Sequence, residues 1–149
     1  MKKMVFILAV LLSFSSLAQE IPKHTWKIVI KNTLSADENF TLVGRTLAEN
    51  DYTIDTKDKE FYTIKTSVRE IGKSLTGTYY LNFAIKEGSI SITGQYDAAM
   101  ELNLGGVTAK SSPDKIENIG GRGSCPRISF GKMNDFALKL GSDPEYITD

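Results

Sequence analysis

One histidine, one cysteine and a glycine-rich run hold most of the chemistry this chain of 149 residues could offer. A nucleophilic cysteine needs a base to take its proton. Cys125 lies far along the chain from His24, the only histidine. A serine triad needs a histidine together with a nucleophile turn such as G-x-S-x-G, and no serine here sits in that turn. His24 therefore reads as a solvated residue near a chain end; Cys125 can form no disulfide within the chain and reads as an inert thiol, with pairing between chains as the alternative. Zinc sites want clusters of cysteine and histidine, and one of each predicts no metal centre.

Three weaker signals remain. Ser112-Pro113-Asp114-Lys115 has S-x-x-K spacing, but no K-T-G segment accompanies it, and the stretch reads as loop. Gly120-Gly121-Arg122-Gly123-Ser124 suits an anion better, because successive glycines let backbone amides converge and Arg122 and Arg127 add charge. It lacks the phosphate-loop spacing and is not expected between a strand and a helix, so a flexible connector is the expected role. Asp55, Asp58 and Glu60 crowd one turn, and Asp97 lies near Glu101. Carboxylate pairs do glycoside chemistry only across a cleft, and turn carboxylates are normally wet. No catalytic or metal residue and no cofactor is predicted, and the ligand-binding residues are unknown. Tyr62, Tyr79 and Tyr96 fall on expected inward faces, where core packing is the default and hydroxyls lining an apolar cavity between helix and sheet are the alternative.

The elements that must position these residues follow from periodicity. Thr25 to Lys31 alternates, with Trp26, Ile28 and Ile30 on one face. Ser35-Ala36-Asp37-Glu38 is a capping box, and Phe40, Val43, Leu47 and Ala48 at helical spacing predict a helix over Ala36 to Glu49, with Asn50 as a left-handed stop. Tyr52 to Thr56 predicts a short strand, Lys57 to Glu60 a turn, and Phe61 to Val68 a strand with Tyr62, Ile64, Thr66 and Val68 on one side. Glu70 to Gly77 reads as loop. Residues 78–96 predict a β-hairpin around Glu87-Gly88, and Asp97 to Leu104 a further strand ended by Gly105-Gly106. Thr108 to Pro126 reads as irregular. A last helix is expected over Gly131 to Leu140, with Gly141 at the position after its end.

This order, β-α-β-β-β-β-α, predicts an α+β sandwich: an antiparallel sheet of four to five strands with two helices packed on one face. Trp26, Phe40, Phe61 or Tyr62, Tyr79, Phe83, Tyr96 and Phe130 are the expected inward aromatics.

The first residues carry a different message. Lys2 and Lys3 precede an apolar run from Met4 to Leu12, and Ser16 and Ala18 are small residues at the −3 and −1 positions of a cut after Ala18. Residues 1–18 read as a cleavable signal peptide and residues 19–149 as a single α+β domain. The apolar run falls short of the roughly 20 residues that span a bilayer. Loss of Lys2 and Lys3 from a chain with 18 basic and 18 acidic residues leaves a mature charge of about −2. That balance offers no attraction for nucleic acid or an anionic membrane. No cysteine follows Ala18, so no lipid anchor is expected after cleavage.

Together with this order, the phrases Leu47-Ala48-Glu49-Asn50-Asp51-Tyr52-Thr53-Ile54 and Lys59-Glu60-Phe61-Tyr62-Thr63-Ile64-Lys65-Thr66 resemble small exported domains of unknown function in Gram-negative bacteria with TBP-like or helix-grip folds. The resemblance implies an envelope protein without established activity and brings no catalytic motif. The expectation is a periplasmic or secreted, non-enzymatic module that binds an envelope protein through a sheet edge. A carrier of a small apolar ligand held between helix and sheet is the alternative.

Overall fold

A tight turn at Glu87-Gly88 organises the centre of the molecule. The computed structural model describes residues 20–72, 75–98, 102–104, 107–109 and 112–149. The leader expected over residues 1–18 lies outside them, as do Met100, Glu101, Gly105 and Gly106. Gly88 takes φ +72, a conformation open to glycine because it has no Cβ. Strands β5 (Leu75–Lys86) and β6 (Ser89–Asp97) pair antiparallel from Lys86↔Ser89 to Thr78↔Asp97. Alternation sends Tyr79, Leu81, Phe83, Ile85, Ile90 and Ile92 to one face, where all are buried.

The other strands assemble around this pair. β1 (Thr25–Lys31) joins the free side of β6, with Ile28↔Ile92 and Ile30↔Ile90, and β10 (Pro144–Thr148) joins the outer side of β1. β3 (Thr63–Thr66) pairs with β5, and β2 (Ile54–Asp58) pairs with β3. The path is β10-β1-β6-β5-β3-β2, with β4 (Arg69–Gly72) added to β5 and β9 (Asp114–Lys115) added to β6. β7 (Leu102–Leu104) and β8 (Val107–Ala109) form a separate antiparallel ribbon.

The α+β class and antiparallel sheet are as expected, but the sheet has eight strands rather than four to five. The additions, β4, β9 and β10, are segments of two to five residues. Such lengths are too short for alternation to announce them; the exposed edges of β1, β5 and β6 recruit them by backbone hydrogen bonding. β4 and the start of β5 occupy the stretch read as loop over Glu70 to Gly77. The strand expected over Asp97 to Leu104 is instead the end of β6 and the separate β7.

Helix α1 (Ala36–Glu49) has the expected bounds and cap. The Glu38 amide donates to Ser35 Oγ at 3.3 Å, and the Ser35 amide donates to Glu38 Oε2 at 2.9 Å. Asn50 is not left-handed, with φ −111; Asp51 takes that role with φ +58. Helix α2 (Cys125–Leu140) begins six residues before the expected Gly131, because Pro126 fits the first turn, where its missing N–H costs nothing. Gly141 is extended rather than left-handed. A Cβ there would stand 2.6 Å from Ile30 Cγ2, so close passage against β1 is what calls for glycine.

Both helices press on the same sheet face. Phe40, Val43 and Leu47 from α1 and Phe130, Met133, Phe136 and Ala137 from α2 share one buried cluster with the inward residues of the sheet. Phe136 meets Phe83 edge-on at 5.3 Å and Tyr52 at 5.2 Å. Each such large apolar side chain contributes about 1.5–3 kcal/mol by leaving water. Of Phe61 and Tyr62, it is Tyr62 that packs against the core, and Phe61 is 71% exposed; Val68, expected on the same side as Ile64, departs from expectation at 64% exposure. Tyr62 turns to φ +51, which interrupts the alternation and leaves only Thr63–Thr66 as strand.

Candidate functional site

Strand alternation gives the sheet a second face, and among the described residues neither helix covers it. Register lines up Val29, Ser91, Ala84 and Thr63 across four neighbouring strands. Thr93 and Asn82 form the next pair along the central hairpin. These side chains are half-buried or exposed. They are short, so the floor of this face is shallow, and it contains hydroxyl and amide groups with little charge. Charge collects at its margins: Lys31 pairs with Glu145 at 2.7 Å, Lys65 pairs with Asp55 at 3.6 Å, and the Lys65 ammonium lies 4.6 Å from the Tyr80 ring centre.

The two edges bordering this face differ. β2 carries Asp55, Lys57 and Asp58 within five residues, and its register slips between Ile54 and Thr56. Charge and irregularity of this kind discourage a strand from pairing alongside. β10 carries one charged residue, Glu145, which Lys31 already engages. Its Ile147 lies on the open side, opposite Lys27, while Tyr146 turns inward and its hydroxyl donates to Asn134 of α2 at 2.8 Å. β10 is thus the less protected edge.

A second region forms where the segment before β1 meets the start of α2. The His24 amide donates to the Asn118 carbonyl, and the Asn118 amide donates to the Thr25 carbonyl at 2.8 Å. The Asn118 side chain, 2% exposed, donates to the carbonyls of Ile21 and Pro22, and its oxygen accepts from Arg127. A cavity of about 260 Å³ opens here, lined by Lys23, His24, Asn118, Ile119, Gly120 and Arg127. His24 is not merely solvated: its ring Nδ1 lies 2.6 Å from Glu117 Oε1. The glycine run lies between β9 and α2, contrary to the expected placement, and Gly120 and Gly123 take φ +83 and +93. Sequence reasoning joined the Gly120 run with Arg127 as a weak anion candidate and singled out His24 apart from them. It missed Lys23 and Asn118, and nothing local in the chain marks Asn118 as the residue that joins three segments.

The remaining candidates stay dispersed. Ser112 is exposed, and Lys115 binds Asp149 at 2.7 Å rather than a serine. Cys125 is the first residue of α2 and partly buried. Asp58 accepts from the Phe61 amide and so closes its turn. Among the described residues no three His, Cys, Asp or Glu side chains gather into a group that could hold a metal ion. Tyr79 and Tyr96 sit opposite each other across β5 and β6. The Tyr79 hydroxyl lies 3.0 Å from the Tyr52 hydroxyl, and burial together with that bond holds it well above the usual phenol range. The Tyr62 hydroxyl instead donates to Asp37 at the surface.

No family model matches the chain, and no curated protein matches it. Among solved structures it is similar to a TBP-like protein from Parabacteroides distasonis, at 14% identity and a TM-score of 0.43, covering 78% of this chain and 93% of that one. It is also similar to a DUF4468 family protein from Bacteroides ovatus, at 12% identity and a TM-score of 0.47, covering 85% and 94% respectively.

Proposed function

We propose that this protein works outside the cytoplasm as a non-enzymatic module that takes an envelope protein along the β10 edge and across the adjoining open sheet face. The observation that carries the reading is the one-sided sheet: a face of short polar side chains with no covering layer among the described residues, bordered by an edge strand with a single, already paired charge. An added strand would gain backbone hydrogen bonds from β10, and alternate side chains would rest on the open face beside Ile147 and Val29. Export is supported by the leader pattern in residues 1–18 and accounts for the cellular setting. For the alternative, an apolar ligand between helix and sheet, no observation speaks: Phe83, Phe136, Leu81 and Met133 fill that layer at 0–1% exposure.

A photo-reactive side chain placed at Val29, at Ile147 or at Arg45 tests the reading in living cells. Crosslinks to one and the same protein from Val29 and Ile147, and none from Arg45 on α1, are expected. Equal labelling at all three positions, or no adduct at any, overturns it. The intact mass of the recovered protein should correspond to loss of residues 1–18; retention of the leader would remove the proposed setting.

A further inference from the structure

We propose that the cavity between the segment before β1 and the first turn of α2 binds a doubly charged oxyanion, a phosphate or a phosphomonoester. This is independent of the open sheet face. The argument rests on charge held in a concave site. Among the described residues, Lys23 has no ion-pair partner, and Arg127 has none either; the one hydrogen bond of its guanidinium goes to the neutral Asn118 side chain. Both line the cavity, and no carboxylate does.

Glu117 touches the lining through His24, and it is already engaged. Its side chain is 14% exposed, with one oxygen 2.6 Å from His24 Nδ1 and the other 3.6 Å from Lys115 Nζ. Lys23 and Arg127 are therefore left to face the cavity. A second surface hollow behaves oppositely. It is lined by Asp37, Glu38, Thr41, Leu42 and Arg45, so its acids outnumber its one base.

Geometry favours an oxyanion over a neutral ligand. Arg127 offers a planar fork of donors of which one is used, and Lys23 supplies a compact charge from another segment. Two cations match the charge of a phosphate better than that of a carboxylate. Asn118 preorganises the pair, since its side chain holds the carbonyls of Ile21 and Pro22 on one side and Arg127 on the other. For Arg127, little ordering is left to be done on binding. The volume of about 260 Å³ leaves room for a phosphate and the first atoms of whatever carries it.

The test uses the full chain, expressed with its own leader and purified in the form the cell leaves. Inorganic phosphate, glycerol 3-phosphate and acetate are titrated at constant ionic strength while amide resonances are followed by NMR. Saturable shifts at Gly120 and Arg127 are expected with both phosphates, at an affinity at least about tenfold above that for acetate. Tighter binding of glycerol 3-phosphate than of inorganic phosphate assigns the natural ligand to an ester, and the reverse order to the free ion. K23Q removes one cation without touching Asn118 and should weaken phosphate about tenfold at an unchanged melting temperature; R127Q should weaken it at least as much. Absence of saturation, equal affinity for acetate, or undiminished binding by K23Q overturns the proposal.

Discussion

The two helix starts solve one physical problem in opposite ways. Any helix leaves its first amides without internal partners. At α1 the chain itself supplies them: Ser35 and Glu38 close a reciprocal box, Asp37 and Glu38 oppose the positive end of the helix dipole, and Asn39 of the first turn is fully buried. The Asn39 side chain donates to the carbonyl of Lys86 at 3.0 Å and accepts from Asn32 at 2.7 Å, which pins the helix start to the end of β5. At α2, Ser124 precedes the helix but makes no capping bond, the first turn has no acid, and Pro126 removes one donor outright. The surroundings are the basic groups of Lys23, His24 and Arg127, tied together from outside by Asn118. A self-capped start spends its polar groups on folding. One held by distant residues keeps some of them free for something else.

That contrast can be broken or sharpened by substitution. The largest effect is expected at Asn39→Ala, which leaves the Lys86 carbonyl and the Asn32 amide without their partner; a loss of about 3 kcal/mol in denaturant unfolding follows from several buried bonds. Asn118→Ala should cost about 2 kcal/mol and, unlike Asn39→Ala, should selectively speed amide exchange at His24, whose N–H donates to the carbonyl of residue 118. Ser35→Ala should cost about 1 kcal/mol, the usual value of a lost cap.

Acid should act on α1 first. The Ser35 amide holds the Glu38 carboxyl below its ordinary value, and hydrogen bonds from Lys59 and then Tyr62 do the same for Asp37. A lowered folded-state value means that this stabilisation is complete above the ordinary carboxylate range and is lost as pH falls through the folded value. Melting temperature should therefore decline more steeply below about pH 4.5 in the parent chain than in Glu38→Gln. The smallest effect is expected at Ser124→Ala, within about 0.5 kcal/mol of the parent, because its buried hydroxyl has no partner to lose. A cost at Ser124 equal to that at Ser35 would erase the distinction between the two starts.

Much of the fold was legible where pattern and chemistry are local. The α1 box, the β5–β6 hairpin and the inward residues Leu81, Phe83 and Ile92 follow from a few neighbouring residues each. The edge strand β10 was not legible. Pro144-Glu145-Tyr146-Ile147-Thr148 carries no strong alternation of its own and becomes a strand only because β1 presents open hydrogen-bonding groups to it. The early start of α2 was masked by the glycines before it, which suggested a connector. The candidate cavity was half visible. His24, Gly120 and Arg127 each stood out by type, yet nothing in the sequence measures how close residue 23 comes to residue 127.

The sequence by itself determined which segments are amphipathic, how α1 begins and where the central hairpin turns, because periodicity, capping and left-handed backbone act over a few residues. It fixed as well the supply of a single histidine and a single cysteine. Only the tertiary structure decided which strand forms the lightly charged edge and which sheet face lies open. Only it brought Lys23, Asn118 and Arg127 to one cavity. Those outcomes depend on long-range register and on buried hydrogen bonds between segments nearly a hundred residues apart, where Asn118 reaches back to Pro22, and such contacts leave no periodic trace in the chain.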